Sequence, residues 1–423
     1  MIDSELAGIW MGSLEVSGTE LRIVFNISSK TDKSLTVSMD SPDQGVKGIP
    51  VDKVTLETDK ISMQVESIKG LYEGIIKDNL TIYGQWTQGG ESVQMALCRV
   101  DKVPELLRPQ EPEKPYPYNE DEVVYDNCNA GIKLAGTLTR PRSGGQFPAV
   151  ILITGSGQHD RDESVSGHRP FLVLADNLTR RGIAVLRVDD RGIGGSTGNF
   201  SLATSEDFAD DVLAGVEYLK SRKDIDHNQI GLIGHSEGGL IAPMAATRSQ
   251  DVAFIVMMAG PGLIGEELLL LQHDRILKAE GVSNDTISKN RVLMERIFSI
   301  VKMEKDDFSA QDDLNLKQYL SPWYRFFLTY DPVPTLTKVR VPVLAIIGEK
   351  DLQVPPKENL KGIEEALIAG GNEHYTVKEL PGLNHLFQTA RTGSPAEYGT
   401  IEETISSVAL DVIGEWIMQQ TGK

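Results

Sequence analysis

Apolar positions follow two different rhythms along the chain. From residue 1 to about 107 they alternate with polar ones or gather in β-branched runs, over 21–27, 34–39, 61–65 and 93–97. That is the period of half-buried strands. Turn residues such as Asp32-Lys33, Asp78-Asn79 and Gly89-Gly90 separate the runs. Short strands at this spacing predict a small all-β domain over 1–107, an antiparallel barrel or sandwich. Trp10 and Trp86 are its expected core plugs, because indoles in so small a domain are its largest apolar groups. Stacking of either against a glycan is the other reading.

An acidic stretch with Pro104, Pro109, Pro112, Pro115 and Pro117 follows. Such a segment is extended and semi-rigid, which sets a linker over 108–120. From 121 onward the pattern changes. Apolar runs over 132–139, 149–153, 183–188, 230–233, 252–258, 341–347 and 375–377 read as strands. Between them, 171–181, 208–220, 357–369 and 400–419 read as helices. Continuous apolar strands alternating with helices predict an α/β domain over 121–423, a mostly parallel sheet covered on both faces. Between Gly262 and Lys338 lie about 75 residues without a clear strand, too long for a connection. Helical patterns over 266–278, 288–301 and 314–328 make this an inserted helical cap at about 262–338.

At 423 residues the chain has room for two or three domains, and 40% hydrophobic with 24% charged residues is a globular composition. The net charge of −19 works against polyanionic partners, which excludes nucleic acid and anionic membrane surfaces. Cys98 and Cys128 are too few for a disulfide scaffold and are expected as buried thiols. No Cys/His cluster has metal-ligand spacing, so no metal is expected. No apolar run reaches the roughly 18 residues of a membrane-spanning helix. Met1-Ile2-Asp3-Ser4-Glu5 is acidic and polar, unlike a secretory leader. A removed leader would leave the same start, so a soluble cytoplasmic and a secreted or periplasmic location both stand, as does a homo-oligomer.

The chemistry centres on Gly234-His235-Ser236-Glu237-Gly238-Gly239, between the apolar run at 230–233 and a helix beginning Leu240-Ile241-Ala242. Gly-x-Ser-x-Gly between strand and helix is a nucleophile elbow. The turn is sharp, its neighbours must be small, and the Ser236 hydroxyl is pushed into the open. The Glu237 N–H then points where an oxyanion would form. A serine needs a base, and the base needs an orienter. Asp351 follows the strand at 341–347 and is the expected acid, with Glu349 as runner-up. His385 follows the last strand, in Pro381-Gly382-Leu383-Asn384-His385, and is the expected base. The second oxyanion donor is expected in Thr154-Gly155-Ser156-Gly157, with Ser156 N–H first and Gly157 next. The charged run His159-Asp160-Arg161-Asp162-Glu163 reads as an ion-pair knot shaping this loop, with His159 and His168 as candidates to touch substrate. Asp189-Asp190-Arg191-Gly192 lacks the lysine and spacing of a phosphate loop and reads as a tight turn with Arg191 tied to an acid.

Over about 121–423 these motifs resemble the α/β-hydrolase superfamily: the elbow, Asp190-Arg191-Gly192 with Ser196, Gly348-Glu349-Lys350-Asp351 with Val354-Pro355, and Gly382-Leu383-Asn384-His385. Within it, Thr154-Gly155-Ser156-Gly157 with Asp160-Arg161-Asp162-Glu163 resembles bacterial carboxylesterases related to dienelactone hydrolases and the prolyl-oligopeptidase clan, some of which carry a small N-terminal β domain. The resemblance implies Ser236 as nucleophile, Asp351 as acid and His385 as base. Two departures stand out. The common His-Gly before the oxyanion loop is Thr154-Gly155 here, and the nucleophile is serine, whereas dienelactone hydrolases proper use cysteine.

The expected reaction is acyl transfer from a small, short-chain ester to water, with no cofactor. Trp323, Tyr324 and Phe327 of the cap are expected to line an acyl pocket. A sugar-ester esterase, acetyl or feruloyl, is a variant of this reading. A serine peptidase of the oligopeptidase clan is the nearest rival, though 107 residues are too few for that clan's propeller. A binding protein on a dead hydrolase is disfavoured by the complete Ser/Asp/His set.

Overall fold

The computed structural model describes residues 6–16, 19–29, 34–44, 46–103, 107–303 and 317–423. Contacts divide the chain into two units. One runs up to Arg108 and includes Val165–His168 and Ala396–Glu402; the other comprises Pro109–Ser164, Arg169–Pro395 and Glu403–Lys423.

The first unit holds β1 (Gly8–Val16), β2 (Thr19–Ser29), β3 (Leu35–Ser41), β4 (Val46–Pro50), β5 (Lys53–Glu57), β6 (Lys60–Val65), β7 (Gly70–Ile76), β8 (Thr81–Gln88) and β9 (Glu91–Val100). They form one antiparallel sheet in the order β4-β3-β2-β1-β9-β8-β7-β6-β5. The expected all-β domain is therefore a half-barrel on a single sheet, with β4 and β5 as edges. One face carries the core. In β6, Ile61, Met63 and Val65 are buried while Lys60 and Gln64 are exposed. Phe25 packs 5.7 Å from Tyr72 and 6.3 Å from Trp86, ring to ring. Trp10 is fully buried, its Nε1 donating to the Leu6 oxygen at 2.8 Å. Both tryptophans are core, which rules out the glycan-stacking reading for them. Glycines break the alternating pattern in several strands and hide them from the periodicity. Gly74 and Gly84 pair across β7 and β8, and a Cβ on Gly84 would stand 2.6 Å from the Tyr72 ring. The bare backbone there is what admits the tyrosine. The cysteines differ from expectation: Cys98 and Cys128 are free but exposed. The alternation of β9 buries Met95 and Leu97 and turns Cys98 outward.

The second unit holds β10 (Asn119–Asn127), β11 (Ile132–Arg140), β12 (Phe147–Ile153), β13 (Ala184–Val188), β14 (Ile225–His235), β15 (Phe254–Met258), β16 (Val343–Gly348) and β17 (Tyr375–Leu380). Their order is β10-β11-β13-β12-β14-β15-β16-β17. β10 and β11 pair antiparallel, as do β11 and β13; every later pairing is parallel. Helices α1 (Pro170–Arg180), α2 (Ser205–Lys220), α3 (Glu237–Arg248), α4 (Gly265–Ala279), α5 (Asn284–Lys302), α6 (Pro322–Thr329), α7 (Val333–Leu336), α8 (Pro356–Ala369) and α9 (Ser407–Thr421) accompany the sheet. Successive residues of one strand feed opposite cores. Ile151 and Ile153 join the cluster with α2, α3 and α8, while Val150 and Leu152 join that of α1 and α9. This two-sided burial is why the strands are apolar throughout.

Between β15 and β16, the described residues carry α4 to α7 and no strand. Residues 314–316 of the third expected helix lie outside the described residues. That helix begins at Pro322, where Ser321 Oγ accepts the Tyr324 N–H at 3.1 Å. The polar start of β10, Asn119-Glu120-Asp121-Glu122, conceals an edge strand whose Val123 and Tyr125 are buried. No described helix is long and apolar enough to cross a membrane.

Leu186 of β13 is fully buried in the sheet. Leu186→Ala is expected to destabilise the second unit by about 2–5 kcal/mol. Urea denaturation should show the shift in that unit's transition alone.

Candidate active site

Every candidate residue that the structure brings together sits at the carboxyl edge of the parallel strands, where open α/β sheets place their ligands. β14 ends at His235 and α3 begins at Glu237, so Ser236 alone makes the turn. Its φ of 53° and ψ of −117° are a conformation non-glycine residues rarely hold, at a cost of roughly 1–3 kcal/mol. The Ser236 N–H donates to the Met258 oxygen at 2.8 Å, and the Gly239 N–H donates to the Ser236 oxygen at 2.9 Å. A Cβ on Gly234 would stand 1.9 Å from the Gly238 oxygen, and one on Gly238 would stand 2.2 Å from the Ile153 oxygen. His235 and Glu237 are buried while Ser236 is only partly so.

Asp351 lies just past β16 and is 3% exposed. Its Oδ1 accepts the N–H groups of Gln353 and Val354, both at 2.8 Å. That fixes the carboxylate with Oδ2 against His385 Nδ1, at 2.7 Å. A proton on Nδ1 toward the aspartate leaves Nε2 bare, the state a general base needs. Glu349 is elsewhere: its Oε2 accepts the Gly382 N–H at 2.8 Å and shapes the histidine loop. Asn384 Oδ1 closes that loop by accepting from Leu386 N at 3.0 Å and Gln388 N at 2.9 Å.

The loop after β12 runs directly against Ser236. A Cβ on Gly155 would stand 3.2 Å from Ser236 Cβ. The Gly155 N–H is already given to Glu163 Oε1 at 2.7 Å, so Ser156 and Gly157, both exposed, are the next donors along the loop. His159 Nε2 faces the Ser156 oxygen at 3.1 Å and braces the same loop. His168 is fully buried against the Tyr398 oxygen, which removes it from the substrate candidates. The charged run splits in two. Arg161 pairs with Asp189 and Glu122, and Asp162 pairs with Arg187, as an ion-pair knot. Glu163 instead turns inward to His235. Arg191 pairs with Asp211 at 2.7 Å.

Two further carboxyls crowd the site. Glu237 Oε1 accepts from Ser205 Oγ at 2.6 Å and from Trp323 Nε1 at 2.7 Å. Burial pushes its pKa up to about 7 against those two bonds. Burial likewise pushes Asp190 up to about 7, against bonds from the Thr154 hydroxyl and the His159 N–H, with Glu163 and Glu237 repelling its charge. Among the described residues neither carboxyl has a cation paired with it, which is what sequence reasoning misses. Trp323 reaches Glu237, but Tyr324 packs on Tyr319 at 5.1 Å and Phe298 at 6.4 Å within the cap. Phe327 is buried, stacked 5.1 Å from Trp323. A cavity of about 50 Å³ beside the loop after β12 is lined instead by Gly155, Gly157, Asp190, Phe200, Phe208 and Ile241.

A strained serine between strand and helix, with an Asp-bound histidine at the same sheet edge, defines an α/β hydrolase. A family model described as serine aminopeptidase, S33, matches residues 168–389, and the chain belongs to that family. Esterase EstD of Thermotoga maritima is 27% identical over 358 residues, 82% of each chain. Human dipeptidyl peptidase 8 is 30% identical over 155 residues, 34% of this chain and 17% of that one. Among solved structures, Est1E of Butyrivibrio proteoclasticus with ferulic acid bound has a TM-score of 0.46 at 21% identity, covering 71% of this chain and 100% of that one.

A carboxyl whose folded pKa lies above its unfolded value stabilises the fold fully below the unfolded value and loses that contribution as pH rises through the folded one. Glu237 therefore lowers stability as pH climbs from the ordinary glutamate range toward about 7, and adds no further slope beyond it. Glu237→Gln keeps an acceptor oxygen for Ser205 and Trp323 but cannot ionise. Between about pH 5 and pH 8 the wild type should lose melting temperature relative to this variant. Parallel thermal melts check this, and identical slopes would exonerate Glu237.

Proposed function

We propose that this carboxylic ester hydrolase is a serine esterase for small, short-chain acyl esters, working through an acyl-enzyme on Ser236. The observation that carries the reading is the 2.7 Å contact of His385 Nδ1 with a doubly anchored Asp351, at the same sheet edge as the strained Ser236. His385 Nε2 takes the Ser236 hydroxyl proton as Oγ attacks the ester carbonyl. The Glu237 N–H and a donor from Ser156 or Gly157 receive the oxyanion. The carbon–oxygen bond to the leaving alcohol breaks, and His385 returns the proton to that oxygen. Water, deprotonated by the same imidazole, then attacks the acyl-enzyme and releases the acid. Asp351 holds the tautomer and stabilises the imidazolium. The small cavity beside Gly155 and Gly157 favours a short acyl group, and similarity to Esterase EstD favours an ester over an amide. The family's aminopeptidase description and the similarity to dipeptidyl peptidase 8 supply the second reading, a serine peptidase.

A p-nitrophenyl ester series from acetate to palmitate separates these. The wild type should cleave the short members best, and Ser236→Ala should lower kcat by roughly 10³-fold or more. Asp351→Asn should lower it by up to about 10⁴-fold by presenting the wrong tautomer. Cleavage of an aminoacyl-p-nitroanilide without ester activity would establish the peptidase instead.

A further inference from the structure

Glu163 and His235 make a buried pair that this mechanism does not use; they are 2% and 5% exposed. His235 Nδ1 lies 2.9 Å from Glu163 Oε1, and its Nε2 lies 2.9 Å from the main-chain oxygen of His385. A carboxylate and a peptide oxygen are both acceptors. Both bonds therefore form only when both ring nitrogens carry protons, as an imidazolium. The same Glu163 oxygen accepts the Gly155 N–H at 2.7 Å. Three loops thus meet on one ion pair: the loop after β12 that faces Ser236, the elbow itself, and the loop of His385.

We propose that Glu163 and His235 are positioning residues, a charged pair that holds the oxyanion loop, the nucleophile elbow and the general-base loop in one working arrangement. The inference rests on the Ser236–His385–Asp351 reading above and adds two residues to it.

The electrostatics support a charged pair. Burial disfavours the imidazolium, but Glu163's charge and hydrogen bond, with the His385 oxygen, outweigh it and raise the His235 pKa above its ordinary value. Burial also opposes the carboxylate, but His235, His159 and the Gly155 N–H hold Glu163 below the ordinary range. Asp190 faces Glu163 from the β13 end, and Asp351 and His385 face His235, whose ring lies 4.9 Å from that of His385. Among the described residues Glu163 Oε2 has no hydrogen-bond partner, so the imidazolium is the main counterweight to its charge. The raised pKa extends the charged state of His235 toward higher pH, and the clamp is lost as pH rises through the His235 value. The lowered Glu163 value sets the acid end of the same window.

The test uses the full-length protein with ¹⁵N-labelled histidine and the p-nitrophenyl butyrate assay. In the wild type near pH 7, one buried histidine should have both ring nitrogens protonated. Its signal should vanish in His235→Gln, and its pKa should fall in Glu163→Gln. Glu163→Gln should lower kcat by about tenfold or more with KM within about twofold, and draw the alkaline limb of the pH profile inward. A singly protonated His235 at neutral pH overturns the proposal, and this reading needs no variant to fold. An unchanged kcat and pH profile in folded Glu163→Gln overturns it too. Ester activity that survives Ser236→Ala sinks the esterase reading, while the NMR titration still decides the charge of the pair.

Discussion

The backbone of Ser236 cannot relax, and the catalytic edge of the sheet is arranged around that fact. A serine at positive φ is uphill by itself. Gly234 and Gly238 let the strand, the turn and the helix approach to distances that no side chain would permit. The Met258 oxygen then pins the serine N–H from the neighbouring strand. The local cost is met by the two apolar cores on either side of β14, which contain most of the buried side chains of this unit. The loop after β12 presses so close to the serine that a Cβ on residue 155 would stand 3.2 Å from Ser236 Cβ.

Three buried carboxyls and the half-buried Asp190 cluster here, and their partners sort them into two kinds. Asp351 and Glu163 each face a histidine nitrogen. Among the described residues Glu237 and Asp190 meet only hydroxyl, indole and peptide donors, so burial prevails and both titrate only as pH approaches about 7. A site that had to desolvate four full negative charges would be self-repelling. Here two are paired with imidazoles and two are muted by protons.

Much of this is legible in the sequence, and what is not has physical reasons. Ser236 directly follows an apolar strand, and Asp351 and His385 lie in the loops just after theirs, so local pattern places them at one sheet edge. The inner parallel strands are continuous apolar runs because both of their faces are covered. The strands around Gly74 and Gly84 are obscured because a glycine pair replaces the side chains that would mark them. β10 is obscured by its polar start at a sheet edge. Glu163 reads as part of a charged run, since its partner His235 lies 72 positions away and nothing local singles it out from Asp160 or Asp162. The cap aromatics are ambiguous for a related reason. A helix with Trp323, Tyr324 and Phe327 has apolar surface to bury whether or not a substrate is near, and its own neighbours take most of it.

The sheet order has a consequence for motion. β14 lies inside the sheet, flanked by β12 and β15, and its hydrogen-bond ladders run on both sides. Amides in such a strand exchange with solvent only when the cooperative unit around them opens. The strained Ser236 is thus tethered to a segment with little freedom to fray, while the loops of Asp351 and His385 follow β16 and β17, nearer the sheet margin. Opening that begins at this margin reaches the contact between Asp351 and His385 before it reaches the strand that leads into Ser236.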